Sequence, residues 1–95
     1  MMRRAAKVDD NQKSIVTALR RVGFSVLSLA TIGKGCPDIV VGSNGKNFLF
    51  EIKDGSKPEC KRKLTPDEIA WHEAWKGQVH TVLCAEEIIA IVLKG

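Results

Sequence analysis

The sequence lacks the features that define several classes of protein. Its three cysteines, Cys36, Cys60 and Cys84, are an odd number without a Cys-x-x-Cys pair, which favours free thiols in a reducing compartment. No stretch approaches the roughly 18 apolar residues of a membrane-spanning helix. The basic N-terminus, MMRRAAKVDD, has no apolar segment of the kind that a secretory signal carries. We therefore expect a cytoplasmic protein without a membrane partner.

A zinc site would have to combine the cysteines with the histidines. The residues available for it are Cys60, His72, His80 and Cys84. Their spacing matches no common zinc finger. We therefore interpret them as separate buried or surface groups.

What the sequence does contain is enough apolar residues for a core, together with an excess of positive charge. With 95 residues and 44% hydrophobic composition it predicts one small globular domain over residues 9–95, preceded by a flexible basic arm at residues 1–8. The net charge of +4 favours an anionic partner. The basic residues cluster at Arg3, Arg4 and Lys7, at Arg20 and Arg21, and at Lys57, Lys61, Arg62 and Lys63. A solvated loop explains any one of these clusters equally well.

Hydrophobic periodicity and turn residues predict the element order αβββαβα. Helices are expected at residues 10–22, 66–75 and 85–93, and strands at 24–29, 39–41, 47–53 and 78–84. Asp9 with Gln12 forms a capping-box-like pair for the first helix, and Thr65 with Glu68 forms a capping box for the second. Strands joined in succession, followed by one joined through a helix, predict an α/β fold with a mixed β-sheet flanked by helices.

The link between the second and third strands carries a strong hairpin signal. Asn44-Gly45 between apolar runs is typical of a two-residue turn. With this turn Asp38 stands opposite Glu51, and Lys53 shares their face because side chains alternate along a strand. A four-residue loop also keeps these residues on one face, whereas a three-residue loop separates them. The other face is apolar and is expected in the core; it carries Ile39, Val41, Phe48, Phe50 and Ile52.

Two opposed carboxylates suggest a metal site. They repel each other unless a positive charge lies between them, and their hard oxygen atoms favour Mg²⁺, with Mn²⁺ as a substitute. Lys53 would position or activate a metal-bound water, or neutralise the transition state of phosphate chemistry. The alternative is that Asp38 is a turn residue after Pro37, and that Glu51 and Lys53 belong to ordinary surface alternation.

Three stretches of sequence follow one another in an informative order. They are Gly33-Lys34-Gly35-Cys36-Pro37-Asp38, then Glu51-Ile52-Lys53, then Lys63-Leu64-Thr65-Pro66 with Trp71. Together they resemble the VRR-NUC branch of the PD-(D/E)XK nuclease superfamily, in particular the small stand-alone proteins of phages and prophages. The resemblance extends from about Asp9 to Val92, and it implies a restriction-endonuclease-like core.

The resemblance implies metal-dependent hydrolysis of phosphodiester bonds in DNA. Asp38 and Glu51 would bind Mg²⁺, with the backbone carbonyl of Ile52 as a third ligand, and Lys53 would be the catalytic lysine. Stand-alone relatives are typically homodimers that cut branched DNA, including four-way (Holliday) junctions, and a dimer suits a two-fold substrate. The setting would be a bacterial or phage-infected cell.

The sequence departs from the family pattern at two positions. Many relatives carry a glutamate on the first helix, where this sequence has the polar residues Asp9, Asp10, Asn11 and Gln12. Of these, Gln12 could orient a metal-bound water or act only as a capping residue. Relatives often have glutamine where this sequence has Glu68. Glu68 could be only the capping partner or could, with His72 one helical turn further on, face the scissile phosphate.

The basic residues near the motifs are expected to contact DNA. They are Lys34, Lys57, Lys61, Arg62 and Lys63. Phosphate contacts carry no sequence information, so recognition by DNA structure is expected. Trp71 and Trp75 lie one helical turn apart, and packing in the core or at a dimer interface is preferred to base stacking. A non-catalytic DNA-binding module and a protein-interaction domain are the alternative functions.

Overall fold

The computed structural model describes residues 10–95, so the predicted arm at residues 1–8 and the predicted cap Asp9 lie outside the described residues. The elements are α1 (Asp10–Arg21), β1 (Ser25–Ser28), β2 (Ile39–Ser43), β3 (Lys46–Ile52), α2 (Pro66–Ala74), β4 (Val79–Val82) and α3 (Ala85–Lys94). Their order is the predicted one, with an unpredicted 3-10 turn at Glu59–Lys61. Among these elements no helix has both the length and the apolar character needed to cross a membrane.

The hairpin between β2 and β3 has the two-residue turn that the sequence predicts. Ser43 pairs with Lys46, and the two residues between them, Asn44 and Gly45, have φ values of 52° and 75°. Positive φ at both central positions is what a type I′ turn requires, and asparagine and glycine adopt it at little cost. The turn sets the register of the whole hairpin. β2 is longer than predicted, whereas the edge strands β1 and β4 are shorter.

The four strands form one mixed sheet in the order β1-β2-β3-β4. β2 runs antiparallel to both β1 and β3, whereas β3 and β4 are parallel. Parallel neighbours need a long crossover connection, and here the segment containing α2 provides it. The predicted α/β architecture, a mixed sheet flanked by helices, is confirmed.

One face of the sheet forms the core with α1 and α3. The hairpin residues that were predicted to be buried there are at most 6% exposed: Ile39, Val41, Phe48, Phe50 and Ile52. Ile15 and Leu19 from α1, and Ile88 and Val92 from α3, belong to the same cluster. Because side chains alternate along a strand, burial of this set directs the intervening residues to the opposite face.

α2 lies across that opposite face, with Trp71 above Val40 and Leu49 of the sheet. None of its residues is buried. The predicted capping box is present, since the Thr65 side chain accepts from the Glu68 amide and the Glu68 side chain accepts from the Thr65 amide. Pro66 occupies the first helical position, where the missing N–H costs nothing. The start of α2 is therefore fixed by the capping box.

Candidate active site

Asp38 lies just before β2, where the regular pairing of β2 and β3 ends. Ile39 pairs with Phe50, and the Asp38 amide donates to the Phe50 carbonyl oxygen at 2.9 Å. The side chain of Asp38 accepts a hydrogen bond from the Ile52 amide, with 2.6 Å between Oδ2 and the nitrogen. This bond fixes the carboxylate beside β3.

Glu51 lies next to Asp38, as the hairpin register predicts. It is 3% exposed, and its Oε1 has no hydrogen-bond partner among residues 10–95. Burial, reinforced by the nearby Asp38 carboxylate, raises the pKa of Glu51 to about 9. Burial also raises the pKa of Asp38, although the Ile52 amide opposes the shift. The pair therefore retains a proton at neutral pH unless a cation replaces it.

Lys53 completes the triad of Asp38, Glu51 and Lys53. Its Nζ lies 3.7 Å from Glu51 Oε2 and 2.7 Å from Glu68 Oε1. Burial by itself lowers the pKa of Lys53, but the hydrogen bond to Glu68 and the charge of Glu51 raise it overall. Lys53 is thus a cation at neutral pH, which favours charge neutralisation over proton abstraction.

The triad offers oxygen ligands that fit a hard divalent cation. The buried Oε1 of Glu51 lacks a donor among the described residues, and a cation beside Asp38 would satisfy it. Within residues 10–95 no three His, Cys, Asp or Glu side chains gather around one metal position. Mg²⁺ commonly binds through one or two carboxylates and keeps water in its remaining positions. The role of the Ile52 carbonyl as a third ligand stays a prediction.

The loop before Asp38 has a backbone that explains its glycines. Gly33, Lys34 and Gly35 have φ values of 71°, 55° and 83°, in the left-handed region that glycine adopts most readily. A Cβ on Gly35 would lie 2.3 Å from the Asp67 carbonyl oxygen, so only glycine allows the loop to meet the first turn of α2. The two segments enclose a pocket of about 200 Å³ that reaches Asp38.

Glu68 enters the site through its ion pair with Lys53, a contact that was not predicted. The sequence shows Glu68 as a capping residue and hence places it in the first turn of α2. The position of that turn over Lys53 depends on how the loop and the sheet pack together, which the local pattern of residues does not encode.

The two other predicted accessory residues are Gln12 and His72. Gln12 is buried on α1 and lines a pocket together with Ser28; its predicted capping partner Asp9 is outside the described residues. His72 is half-buried, with its ring centroid 6.2 Å from that of Trp71. Neither is among the described residues that hydrogen-bond to the triad, so their functional roles stay predictions.

The predicted DNA-contacting residues flank the triad along the chain. Lys34, Lys57, Lys61 and Lys63 are exposed. Arg62 is half-buried, and its Nε is buried without a hydrogen-bond partner among the described residues. The 3-10 turn at Glu59–Lys61 shapes this basic segment between the end of β3 and the start of α2.

An apolar groove of about 700 Å³ lies between α2 and the sheet. Its lining includes Leu29, Ile32, Val40, Leu49, Trp71 and Trp75. The two tryptophan rings stack with centroids 4.7 Å apart, and Trp75 is 46% exposed. Neither tryptophan is buried, so the prediction of core packing is wrong for this pair. Packing at a dimer interface stays a prediction.

Neither a comparison with protein-family models nor a comparison with curated proteins finds a match for this chain. The mixed α/β fold and the triad are therefore the features that indicate the class of this protein.

Proposed function

We propose that this protein is a metal-dependent DNA nuclease that hydrolyses phosphodiester bonds at the triad. The observation that carries the proposal is the carboxyl of Glu51, which is 3% exposed and has an oxygen without a partner in residues 10–95. Burying such a group against Asp38 costs free energy unless a cation compensates. A nuclease gains from this arrangement because the cation is part of its chemistry.

In this proposal Asp38 and Glu51 bind Mg²⁺ or Mn²⁺, together with the backbone carbonyl of Ile52. The bound metal supplies a polarised phosphate and a water of lowered pKa. Lys53 keeps its ammonium group beside Glu51. From there it neutralises the negative charge that develops on the phosphate during attack.

DNA is the proposed substrate because positive charge flanks the triad. Lys34 precedes Asp38, and the exposed lysines of the segment 57–63 follow Lys53. Such residues bind phosphates and position DNA without reading its sequence. This supports selectivity for DNA structure, and we propose an endonuclease that acts on branched DNA such as Holliday junctions as a homodimer.

The finer assignment of the fold is part of the same proposal. The order αβββαβα with a mixed sheet is compatible with a restriction-endonuclease-like core. Membership of the VRR-NUC branch is proposed on the motifs around Asp38, Glu51 and Thr65.

The proposal is tested by incubating the protein with labelled four-way junction, flap and linear duplex, in Mg²⁺ or in EDTA. We expect metal-dependent cutting that falls by about 100-fold or more in Asp38→Ala and Lys53→Ala, with DNA binding retained in Lys53→Ala. Lys94→Ala, which removes an exposed lysine at the end of α3, is the matched control and should cut normally. Binding without cutting in any metal would instead indicate a non-catalytic DNA-binding module. Absence of both would contradict DNA as the substrate.

A further inference from the structure

Lys53 lies between two acidic side chains and is closer to the one that is not a proposed metal ligand. Its Nζ is 2.7 Å from Glu68 Oε1 but 3.7 Å from Glu51 Oε2. A lysine has a flexible four-carbon stem, and two adjacent carboxyls would attract its ammonium group strongly. Some feature of the structure therefore holds the ammonium group nearer to Glu68 than to Glu51.

The position of Glu68 is fixed independently of Lys53. Its Oε1 accepts a second hydrogen bond, from the Thr65 amide at 2.8 Å, and its own amide donates to Thr65 Oγ1 at 3.2 Å. The first turn of α2 is in turn seated against Gly35, where a Cβ would meet the Asp67 carbonyl oxygen at 2.3 Å. Glu68 is therefore an anchored acceptor, and the ammonium group of Lys53 comes to it.

We infer, on the basis of the proposed nuclease function, that Glu68 is a positioning residue that holds the Lys53 ammonium group on the α2 side of the site and so leaves the oxygens of Asp38 and Glu51 free for the divalent cation. The capping box of α2 thereby has a second use. It connects the helix that lies over the sheet to the placement of the catalytic lysine.

The inference has a consequence for metal binding that does not involve DNA. Without Glu68, the ammonium group of Lys53 would move onto the carboxyls of Asp38 and Glu51 and compete with the cation. Removing Lys53 as well would abolish that competition. The effect of Glu68 on metal affinity should therefore depend on the presence of Lys53.

The test compares the wild type with Glu68→Ala, Lys53→Ala and the double variant by calorimetric titration with Mn²⁺ in the absence of DNA. We expect Glu68→Ala to weaken Mn²⁺ binding by about tenfold or more, the size of effect known for groups that orient metal ligands. We expect the double variant to recover most of the wild-type affinity. In cleavage assays Glu68→Ala should lower kcat with little change in KM for DNA.

Two controls separate positioning from helix stability. Thr65→Ala removes the hydroxyl acceptor of the capping box but keeps the Thr65 amide and the ion pair with Lys53, so it should destabilise α2 without weakening Mn²⁺ binding. Glu68→Gln keeps an oxygen that can accept from Lys53, and it should fall between the wild type and Glu68→Ala. In EDTA, Glu68→Ala should lower the urea midpoint less in the Lys53→Ala background than in the wild type.

The outcomes distinguish this inference from the nuclease proposal. Equal Mn²⁺ affinity in the wild type and Glu68→Ala, or no recovery in the double variant, would overturn the role of Glu68. If neither the wild type nor any variant binds Mn²⁺, the urea midpoints are the remaining test. The inference would be overturned if Glu68→Ala lowered the midpoint equally with and without Lys53. The Mn²⁺ affinities could follow the expected pattern while none of the proteins cuts DNA. That result would refute the nuclease proposal but support the role of Glu68 in placing Lys53.

Discussion

The two faces of the β2–β3 hairpin are built from alternate residues of the same strands, yet they are stabilised in different ways. The face toward α1 and α3 consists of apolar side chains that are at most 6% exposed. The face toward α2 carries Asp38, Glu51 and Lys53, and the helix over it has no buried residue. The apolar side chains of the first face need no hydrogen-bond partner. The second face retains a buried carboxyl oxygen without a partner among the described residues. The core therefore supplies the stability, and the opposite face is less stable because it holds polar groups suited to a ligand.

The largest expected effect comes from breaking the core face. Phe50→Ala removes a side chain that is 0% exposed and stacks against Phe48, so we expect a loss of about 3–5 kcal/mol in the free energy of unfolding. The matched control is Leu49→Ala, the neighbouring residue on the other face, where half-burial predicts a much smaller loss. Urea unfolding followed by circular dichroism measures both. Similar losses of unfolding free energy in the two variants would contradict the conclusion that the core face supplies most of the stability.

An effect of opposite sign is expected on the other face. Glu51→Gln removes a buried ionisable group, and we expect the metal-free protein to gain about 1–3 kcal/mol of stability at pH 8 while metal-dependent cleavage is lost. The gain should depend on pH. The pKa of Glu51 is about 9 in the folded protein against an ordinary value of 4.5. Between these pH values the folded state holds a proton that the unfolded chain has released, so wild-type stability falls as the pH rises.

Urea unfolding in EDTA at several pH values between 5 and 9 measures this dependence. The gap between Glu51→Gln and the wild type should widen with pH. Measurements should stay above pH 5, because the pKa of Glu68 is lowered overall by Lys53 against the effect of burial, and its contribution to stability is lost as the pH falls below the ordinary range. Glu73→Gln, at an exposed position of α2, is the control and should leave the pH profile unchanged. A constant gap would show that Glu51 is ionised throughout.

The hairpin shows how much of the difference between its two faces can be predicted from the sequence. Alternation along β3 and the Asn44-Gly45 turn depend on residues close in the chain, so the register, the core face and the approach of Asp38 to Glu51 were all predicted. The partner of Lys53 was not, because Glu68 reaches it only after α2 has packed across the sheet. The failure to bury Trp71 and Trp75 has the same origin, since spacing along a helix predicts a shared face but not what covers it.

The smallest expected effect lies in the loop that enters the triad. Lys34 has a φ of 55° between two glycines that are also left-handed, a conformation that costs a residue with a Cβ about 1–2 kcal/mol. Lys34→Gly relieves this strain, and after the greater flexibility of glycine in the unfolded chain is counted we expect a net gain of about 0.5–1 kcal/mol.

The same substitution removes a proposed phosphate contact, so Lys34→Gly should bind DNA more weakly and with a shallower dependence on salt. Lys34→Ala separates the two effects, because alanine keeps the strained φ and loses the charge. It should weaken DNA binding equally without the gain in stability. Thermal unfolding of both variants measures the effect on stability. The salt dependence of their binding to a four-way junction measures the effect on DNA contact. If Lys34→Gly binds DNA as tightly as the wild type does, Lys34 does not belong to the DNA-contacting surface. DNA binding would then not explain why a lysine occupies this strained position.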